Sequence, residues 1–186
     1  DRNFYTNPGV SFRGLVRAAL WDIAGRDPLQ RPQGASSITQ QLVRNVLMSP
    51  EERFSLSAAR KIKETILALE VSLRFSKDQI LEWYLNTIPY GNSAYGVQAA
   101  AEAYFGKNVE DLTLAETAML AILPQAPAAN SPLENPVAAK KRQELTLDVM
   151  WRERYLSLEE LRAAKAEVLH PHRQRFEIVA PHFVVY

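Results

Sequence analysis

The sequence predicts a mostly α-helical protein of about eight helices, and two observations lead to this prediction. Apolar residues recur at three- and four-residue spacing along most of the chain. At four of the predicted helix starts a serine or threonine also precedes a glutamate or glutamine by three residues, which is the capping-box pattern. No segment shows the pattern of a parallel sheet. We expect residues 1–186 to form a single domain with an extended tail over about 170–186.

The predicted helices follow one another with short connections. In chain order they cover residues 11–25, 37–48, 57–75 and 76–86, a short alanine-rich stretch that ends near 106, and residues 113–123, 136–155 and 158–168. The second of them is predicted to end before Pro50. A loop with two prolines fills residues 26–34, and residues 124–132 are predicted to be an extended loop.

Composition excludes several classes of protein. The net charge of +1 gives no overall field that would attract nucleic acid, so no nucleic-acid partner is expected. The absence of cysteine excludes a disulfide framework and a thiolate metal site. No apolar run reaches the roughly 20 residues of a membrane span.

The helix over residues 57–75 carries one carboxylate on a face that is otherwise largely apolar. One apolar stripe at helical spacing comprises Ala58, Ile62, Thr65, Ile66, Leu69 and Leu73. A second apolar face is interrupted by Arg60 and Glu64, one turn apart. A helix that is apolar on most sides is usually buried, and a buried carboxylate must be paired or bind a cation. Glu64 is therefore either a functional carboxylate or half of a structural ion pair with Arg60, and both readings remain open.

The helix that begins after Ser37 has an unusual polar side. Its polar stripe comprises Ser37, Gln40, Gln41, Arg44 and Asn45, with hydroxyl, amide and guanidinium groups but no carboxylate. Such a stripe suits a sugar, amide or phosphate ligand, although an ordinary solvated face is an equally open interpretation.

Five blocks of sequence together resemble one known family. They are DRNFYTNPG, QGASSITQQLVRN, RKIKETILALE, SKDQILEWYLNTIPYG, and LAETAMLAILPQAPAANSP followed by Arg142. In this order they resemble the five motifs of the glycosyltransferase domain of class A penicillin-binding proteins, the peptidoglycan polymerases. The resemblance covers nearly the whole chain and implies a lysozyme-like helical fold.

The chain departs from the family pattern at several positions. Ala35 replaces a glycine, Ser37 a threonine, and Asn7 stands where histidine is usual. Arg44 replaces a lysine, which keeps the charge but changes its shape. Asp1 aligns with the second residue of the family's Glu-Asp pair, so the resemblance puts the catalytic glutamate immediately before Asp1. We therefore expect an N-terminally truncated domain that folds and binds lipid II but does not polymerise it without that residue.

The resemblance also implies roles for individual residues. Glu64 matches the family's second essential carboxylate, which assists departure of the pyrophosphate directly or by holding a divalent cation, Mg²⁺ or Mn²⁺. The expected substrate-binding residues are Phe4, Asn7, Ser36, Ser37, Gln41, Arg44, Asn45, Arg60, Lys61 and Arg142. Among them Arg44, Lys61 and Arg142 are predicted to converge on one anion site near Glu64, where a phosphoglycolipid inhibitor should also bind.

The implied reaction is inverting transfer of a growing glycan to lipid II, with β-1,4 linkage and release of undecaprenyl pyrophosphate. The expected partners are lipid II, the glycan strand, the membrane surface and a downstream transpeptidase domain. The expected location is the extracytoplasmic face of the bacterial cytoplasmic membrane. Two alternatives remain: a lysozyme-like enzyme that cleaves glycan, and a lipid II-binding module without catalysis. Residues 46–56 are predicted to touch the membrane, with core packing as the alternative.

Overall fold

The computed structural model describes residues 3–11, 36–55 and 57–172, and helices dominate these segments. The prediction of a mostly α-helical protein is therefore confirmed. The chain falls into two compact units, residues 1–88 (the first unit) and 89–186 (the second unit), and each is treated by itself. The helix predicted for residues 11–25 and most of the predicted tail lie outside the described residues.

Four helices make up most of the described part of the first unit: α1 (Ile38–Val46), α2 (Pro50–Phe54), α3 (Ala58–Arg74) and α4 (Lys77–Thr87). A serine caps the start of each, because its side-chain oxygen accepts from the backbone N–H three residues later. Helix α1 packs against both α3 and α4. A small core of Val10, Val43 and Ala68 joins the N-terminal segment to α1 and α3.

Helix α2 differs from the sequence prediction, which ends a helix before Pro50 and begins none there. Ser49 is the N-cap of α2, and its side chain and that of Glu52 form a capping box. Pro50 occupies the first turn, where its missing N–H costs nothing. The proline therefore begins a helix as well as ending the preceding one.

The apolar stripe of α3 is exposed at three of its positions. Ile62, Ile66 and Leu73 are 60%, 59% and 88% exposed. The face that carries Glu64 and Ala68 is the buried one, and both residues are fully inaccessible. Helix α3 turns this face inward because the small Ala68 side chain allows the N-terminal segment and α1 to pack closely on it.

The second unit begins with a short hairpin and continues with helices. Strands β1 (Pro89–Gly91) and β2 (Ala94–Tyr95) pair antiparallel. The helices are α5 (Val97–Phe105), α6 (Leu114–Ile122), α7 (Pro136–Arg152) and α8 (Leu158–Ala166), with single 3-10 turns at Val109–Asp111 and Leu123–Gln125. Helices α6, α7 and α8 share a core of Ala115, Ala118, Leu147, Leu161 and Ala164.

The hairpin was not predicted from the sequence. Its turn residues Asn92 and Ser93 are both left-handed, with φ of 49° and 59°. Asparagine tolerates this conformation better than most residues, and Gly91-Asn92 was the available signal for the turn. Within the described segments, no helix is long and apolar enough to cross a bilayer.

Candidate active site

The N-terminal segment forms a turn that lies directly against α3. The carbonyl of Asn3 accepts from the N–H groups of Thr6 and Asn7, at 3.1 and 2.8 Å. Gly9 follows with φ of 99°, and a Cβ there would lie 2.5 Å from the carbonyl oxygen of Ala68. Only glycine permits this approach, so Gly9 fixes the first sequence block on the helix that carries Glu64.

Ser37 joins the same turn to the start of α1. Its hydroxyl donates to the carbonyl of Gly9 at 2.5 Å and accepts from the N–H of Gln40 at 3.1 Å. Ser37 is 1% exposed and Gln40 is fully buried. The structure thus uses the hydroxyl of this predicted cleft residue to cap α1 and to hold the first sequence block.

Glu64 is buried between two cations of its own helix. Its side chain is fully inaccessible, and Oε2 accepts from an Nη atom of Arg60 at 2.8 Å. Its other oxygen, Oε1, accepts from Nζ of Lys61. The pairing with Arg60 proposed from sequence is therefore present, and Lys61 adds a second cation to the same carboxylate.

Lys61 connects Glu64 to the second sequence block. Its ammonium also donates to Oγ of Ser36 at 2.9 Å. Burial lowers the pKa of Lys61, Glu64 opposes that shift, and the charges of Arg60 and Arg44 lower the pKa further. Arg60 and Lys61 therefore pair with one carboxylate, and Arg44 is a third cation whose charge acts on Lys61. The excess of positive over negative charge at this place favours binding of an anion.

Gln41, Asn45 and Tyr84 form the neighbouring polar contacts. Oε1 of Gln41 accepts from the hydroxyl of Tyr84 at 3.2 Å, and Nδ2 of Asn45 donates to the carbonyl of Gln41 at 2.9 Å. Burial raises the pKa of Tyr84 to about 12, while the charge of Arg44 acts in the opposite direction. Sequence reasoning missed Tyr84, because its partner lies on another helix.

Phe4 and Asn7 meet the first residue of α4. Phe4 is 4% exposed, and Nζ of Lys77 lies 4.9 Å from the centre of its ring. The same ammonium donates to Oδ1 of Asn7 at 3.3 Å, and burial lowers the pKa of Lys77. Sequence reasoning also missed Lys77. It follows the capping residue Ser76, and its sequence position resembles that of any first residue of a helix.

Arg142 lies on α7 in the second unit. Its side chain is exposed and contacts Oε1 of Gln125. Gln125 belongs to the fifth sequence block, so the two parts of that block are together. The predicted convergence of Arg142 with Arg44 and Lys61 stays a prediction.

A divalent cation needs several oxygen ligands. Residues 3–11, 36–55 and 57–172 contain no group of three or more His, Asp or Glu side chains that suits a metal. At Glu64, each carboxylate oxygen already accepts from a cationic side chain. The described residues therefore do not fit Mg²⁺ or Mn²⁺ at Glu64, and the cofactor stays a prediction.

Comparison with known proteins agrees with the resemblance of the motifs. Residues 1–151 match the transglycosylase family. The chain is 44% identical over 164 residues to penicillin-binding protein 1A of Rickettsia prowazekii, covering 88% of this chain and 20% of that protein. It is 43% identical over 173 residues to penicillin-binding protein 1A of Neisseria gonorrhoeae, covering 93% and 21% respectively. The chain thus spans about a fifth of the length of these curated relatives.

One solved structure is also similar. It is the 2.6 Å crystal structure of penicillin-binding protein 1A from Haemophilus influenzae, 31% identical, matched over 75% of this chain and 17% of that one with a TM-score of 0.49. The family match covers most of the chain, and the family's lysozyme-like helical fold accords with the helices described above. The chain therefore belongs to the transglycosylase family.

Proposed function

We propose that this domain polymerises lipid II into β-1,4-linked glycan with inversion at the anomeric carbon and release of undecaprenyl pyrophosphate. The observation that carries the proposal is the fully buried Glu64 carboxylate, bracketed by Arg60 and Lys61 and close to the charge of Arg44. A neutral glycan needs no such group of cations, whereas a pyrophosphate leaving group does.

In this reaction the 4-hydroxyl oxygen of lipid II bonds to C1 of the growing chain, and the bond from C1 to the pyrophosphate oxygen breaks. A general base removes the hydroxyl proton, and cations stabilise the charge that develops on the pyrophosphate. The base is the glutamate that the family resemblance puts immediately before Asp1. Arg44 and Lys61 supply the positive charge.

Glu64 has a distinct part in this scheme. Its carboxylate holds Lys61 beside Ser36. When the pyrophosphate departs, Lys61 can share its protons between Glu64 and a phosphate oxygen. The ammonium is then already desolvated and oriented, so little reorganisation accompanies bond breaking. Ser36, Gln41 and Asn45 would line the donor side, with Phe4 and Asn7 at the first block.

The decisive experiment is incubation of the purified protein, carrying its native residues before Asp1, with lipid II. Gel analysis and mass spectrometry of the products separate the three functions. We expect glycan polymer. Shortened glycan made from preformed strands would favour a hydrolase, and binding without any product would favour a module that only holds lipid II.

The proposed site of action is the outer face of the cytoplasmic membrane, in a longer protein that also carries a transpeptidase domain. The predicted membrane segment is divided in the structure: Val46 and Leu47 are each 52% exposed, whereas Met48 is 2% exposed. The side chains of Phe54 and Leu56 lie outside the described residues. We propose that Val46 and Leu47 touch the lipid surface.

Flotation with liposomes tests this contact. Replacing Val46 and Leu47 by serine should reduce the bound fraction severalfold, since each loses apolar surface that the bilayer would bury. The matched control replaces Val137 and Leu145 of the second unit, which are 84% and 56% exposed. Equal losses in both double variants would reject a specific contact at α1.

A further inference from the structure

A continuous series of polar contacts runs from α4 to Glu64. The hydroxyl of Tyr84 donates to Oε1 of Gln41, and Nε2 of Gln41 faces the carbonyl oxygen of Ser36 at 3.5 Å. Oγ of Ser36 accepts from Lys61, which in turn donates to Glu64. The Gln41 amide and the Lys61 ammonium thus meet at the same residue, Ser36.

The direction of the Gln41 amide is the informative part of this series. A glutamine amide has nearly the same shape when its oxygen and nitrogen exchange places, so its orientation depends on its hydrogen-bond partners. Tyr84 fixes the oxygen toward α4. The nitrogen therefore points toward Ser36. Its distance of 3.5 Å from the carbonyl oxygen of Ser36 makes a weak hydrogen bond, so the N–H groups of the amide can still donate to a ligand.

Because Tyr84 is buried, it can hold the Gln41 amide in one orientation. Its side chain is 8% exposed, so water cannot readily replace Gln41 as its partner. The raised pKa keeps the hydroxyl protonated throughout the range in which enzymes work, so it remains a donor. A buried tyrosine hydroxyl that needs only one hydrogen-bond acceptor can use a backbone carbonyl. The hydroxyl of Tyr104 in the second unit does so, because it donates to the carbonyl oxygen of Tyr90.

We propose that Tyr84 is a positioning residue that orients the Gln41 amide so that its N–H donates to an oxygen of the lipid II headgroup beside Lys61. This inference rests on the proposed function, because it assumes that lipid II binds at Lys61. Tyr84 itself does not touch the substrate. Without its hydroxyl, Gln41 would sample both amide orientations, and one of them presents a carbonyl oxygen to an oxygen-rich ligand.

A double-mutant cycle tests the inference. The affinity for lipid II is measured for the native protein and for the Tyr84→Phe, Gln41→Ala and double variants, together with their thermal midpoints. Loss of one orienting hydrogen bond should raise the Kd of Tyr84→Phe roughly three- to tenfold. In the Gln41→Ala background the same substitution should change the Kd by less than about twofold, because its effect passes through Gln41.

Tyr104→Phe is the matched control, since it removes a buried tyrosine hydroxyl with a 3.0 Å contact outside this series. It should lower the thermal midpoint and leave the Kd unchanged. Equal losses of affinity for Tyr84→Phe in both backgrounds, or no loss in either, would overturn the inference while native binding upholds the proposed function. A native protein that does not bind lipid II would overturn both.

Discussion

Two buried carboxylates, Glu64 in the first unit and Glu116 in the second, have different surroundings. Glu116 is 6% exposed and accepts from Lys107 at 2.8 and 2.9 Å and from the backbone N–H of Thr113 at 2.9 Å. It is the third residue of α6 and completes a capping box with Thr113. Its burial thus serves the start of a helix.

Glu64 sits in the middle of α3, where it has no helix start to complete. It accepts from Arg60 and Lys61, and the charge of Arg44 reaches Lys61 as well. The two cations that pair with Glu64 exceed its single negative charge, and burial makes that excess positive charge more costly. The contrast teaches that a buried carboxylate with a backbone donor is explained by the fold, whereas one surrounded by excess cations is explained better by an anionic ligand.

The largest effect is expected at Glu64. Glu64→Gln keeps the shape of the side chain but removes the charge that holds Lys61, so polymerisation should fall at least about a hundredfold. The domain should remain folded, although the unpaired charges of Arg60 and Lys61 should lower its thermal midpoint. Product formation from lipid II measures the loss of polymerisation, and thermal unfolding shows whether the variant is folded. A variant that polymerises normally but melts much earlier would make Glu64 structural, like Glu116.

The next effect concerns the affinity for a phosphoglycolipid. Lys61→Met should weaken binding about ten- to a hundredfold, because a charge-assisted hydrogen bond to phosphate is lost. Lys63→Met is the matched control on the same helix, since Lys63 pairs with Glu52 and its side chain is half exposed. Fluorescence titration of both variants measures the difference. Comparable losses would show a general charge effect rather than a site at Lys61.

The pH dependence of phosphoglycolipid binding also tests whether the ligand binds at Lys61. Burial lowers the pKa of Lys61 below its ordinary value of 10.5, so the ammonium loses its proton at a lower pH than a free lysine. Affinity for the phosphoglycolipid should therefore fall as the pH rises toward 10.5. Lys61→Arg should extend binding to higher pH, because arginine stays charged. Parallel falls in the native protein and this variant would assign the titration to another group.

The smallest effect is expected at Glu116. Glu116→Gln should lower the free energy of unfolding by about 1 kcal/mol, because it weakens the capping box and the pair with Lys107. Polymerisation measured well below the melting temperature should not change. Chemical denaturation and the lipid II assay give both numbers. A large loss of activity with unchanged stability would remove the contrast between the two carboxylates.

Local features were predictable from the sequence. The capping boxes at Ser37, Ser76, Thr113 and Ser157 are all confirmed, because each depends on residues only three positions apart. The end of α7 was placed three residues too late. Arg154 has a left-handed backbone with φ of 66°, which ends the helix and which no local signal announced.

Features that depend on distant residues were not predictable. The buried side of α3 contacts Gly9, which approaches Ala68 from far along the chain. Lys61 meets Ser36 across 25 positions and Tyr84 meets Gln41 across 43. Sequence blocks identified Ser36, Lys61 and Gln41 as candidates through resemblance to a family, but the contacts among them required the fold.

The most direct test of the anion site is a crystal structure of the domain with a phosphoglycolipid inhibitor of the moenomycin type. We expect phosphate oxygens within about 3 Å of Nζ of Lys61 and of the Arg44 guanidinium, which is the length of a charge-assisted hydrogen bond. The same electron density would test whether Arg142 joins them. A phosphate bound elsewhere, with Arg60, Lys61 and Glu64 in an unchanged arrangement, would contradict the account and leave these three residues as a structural cluster.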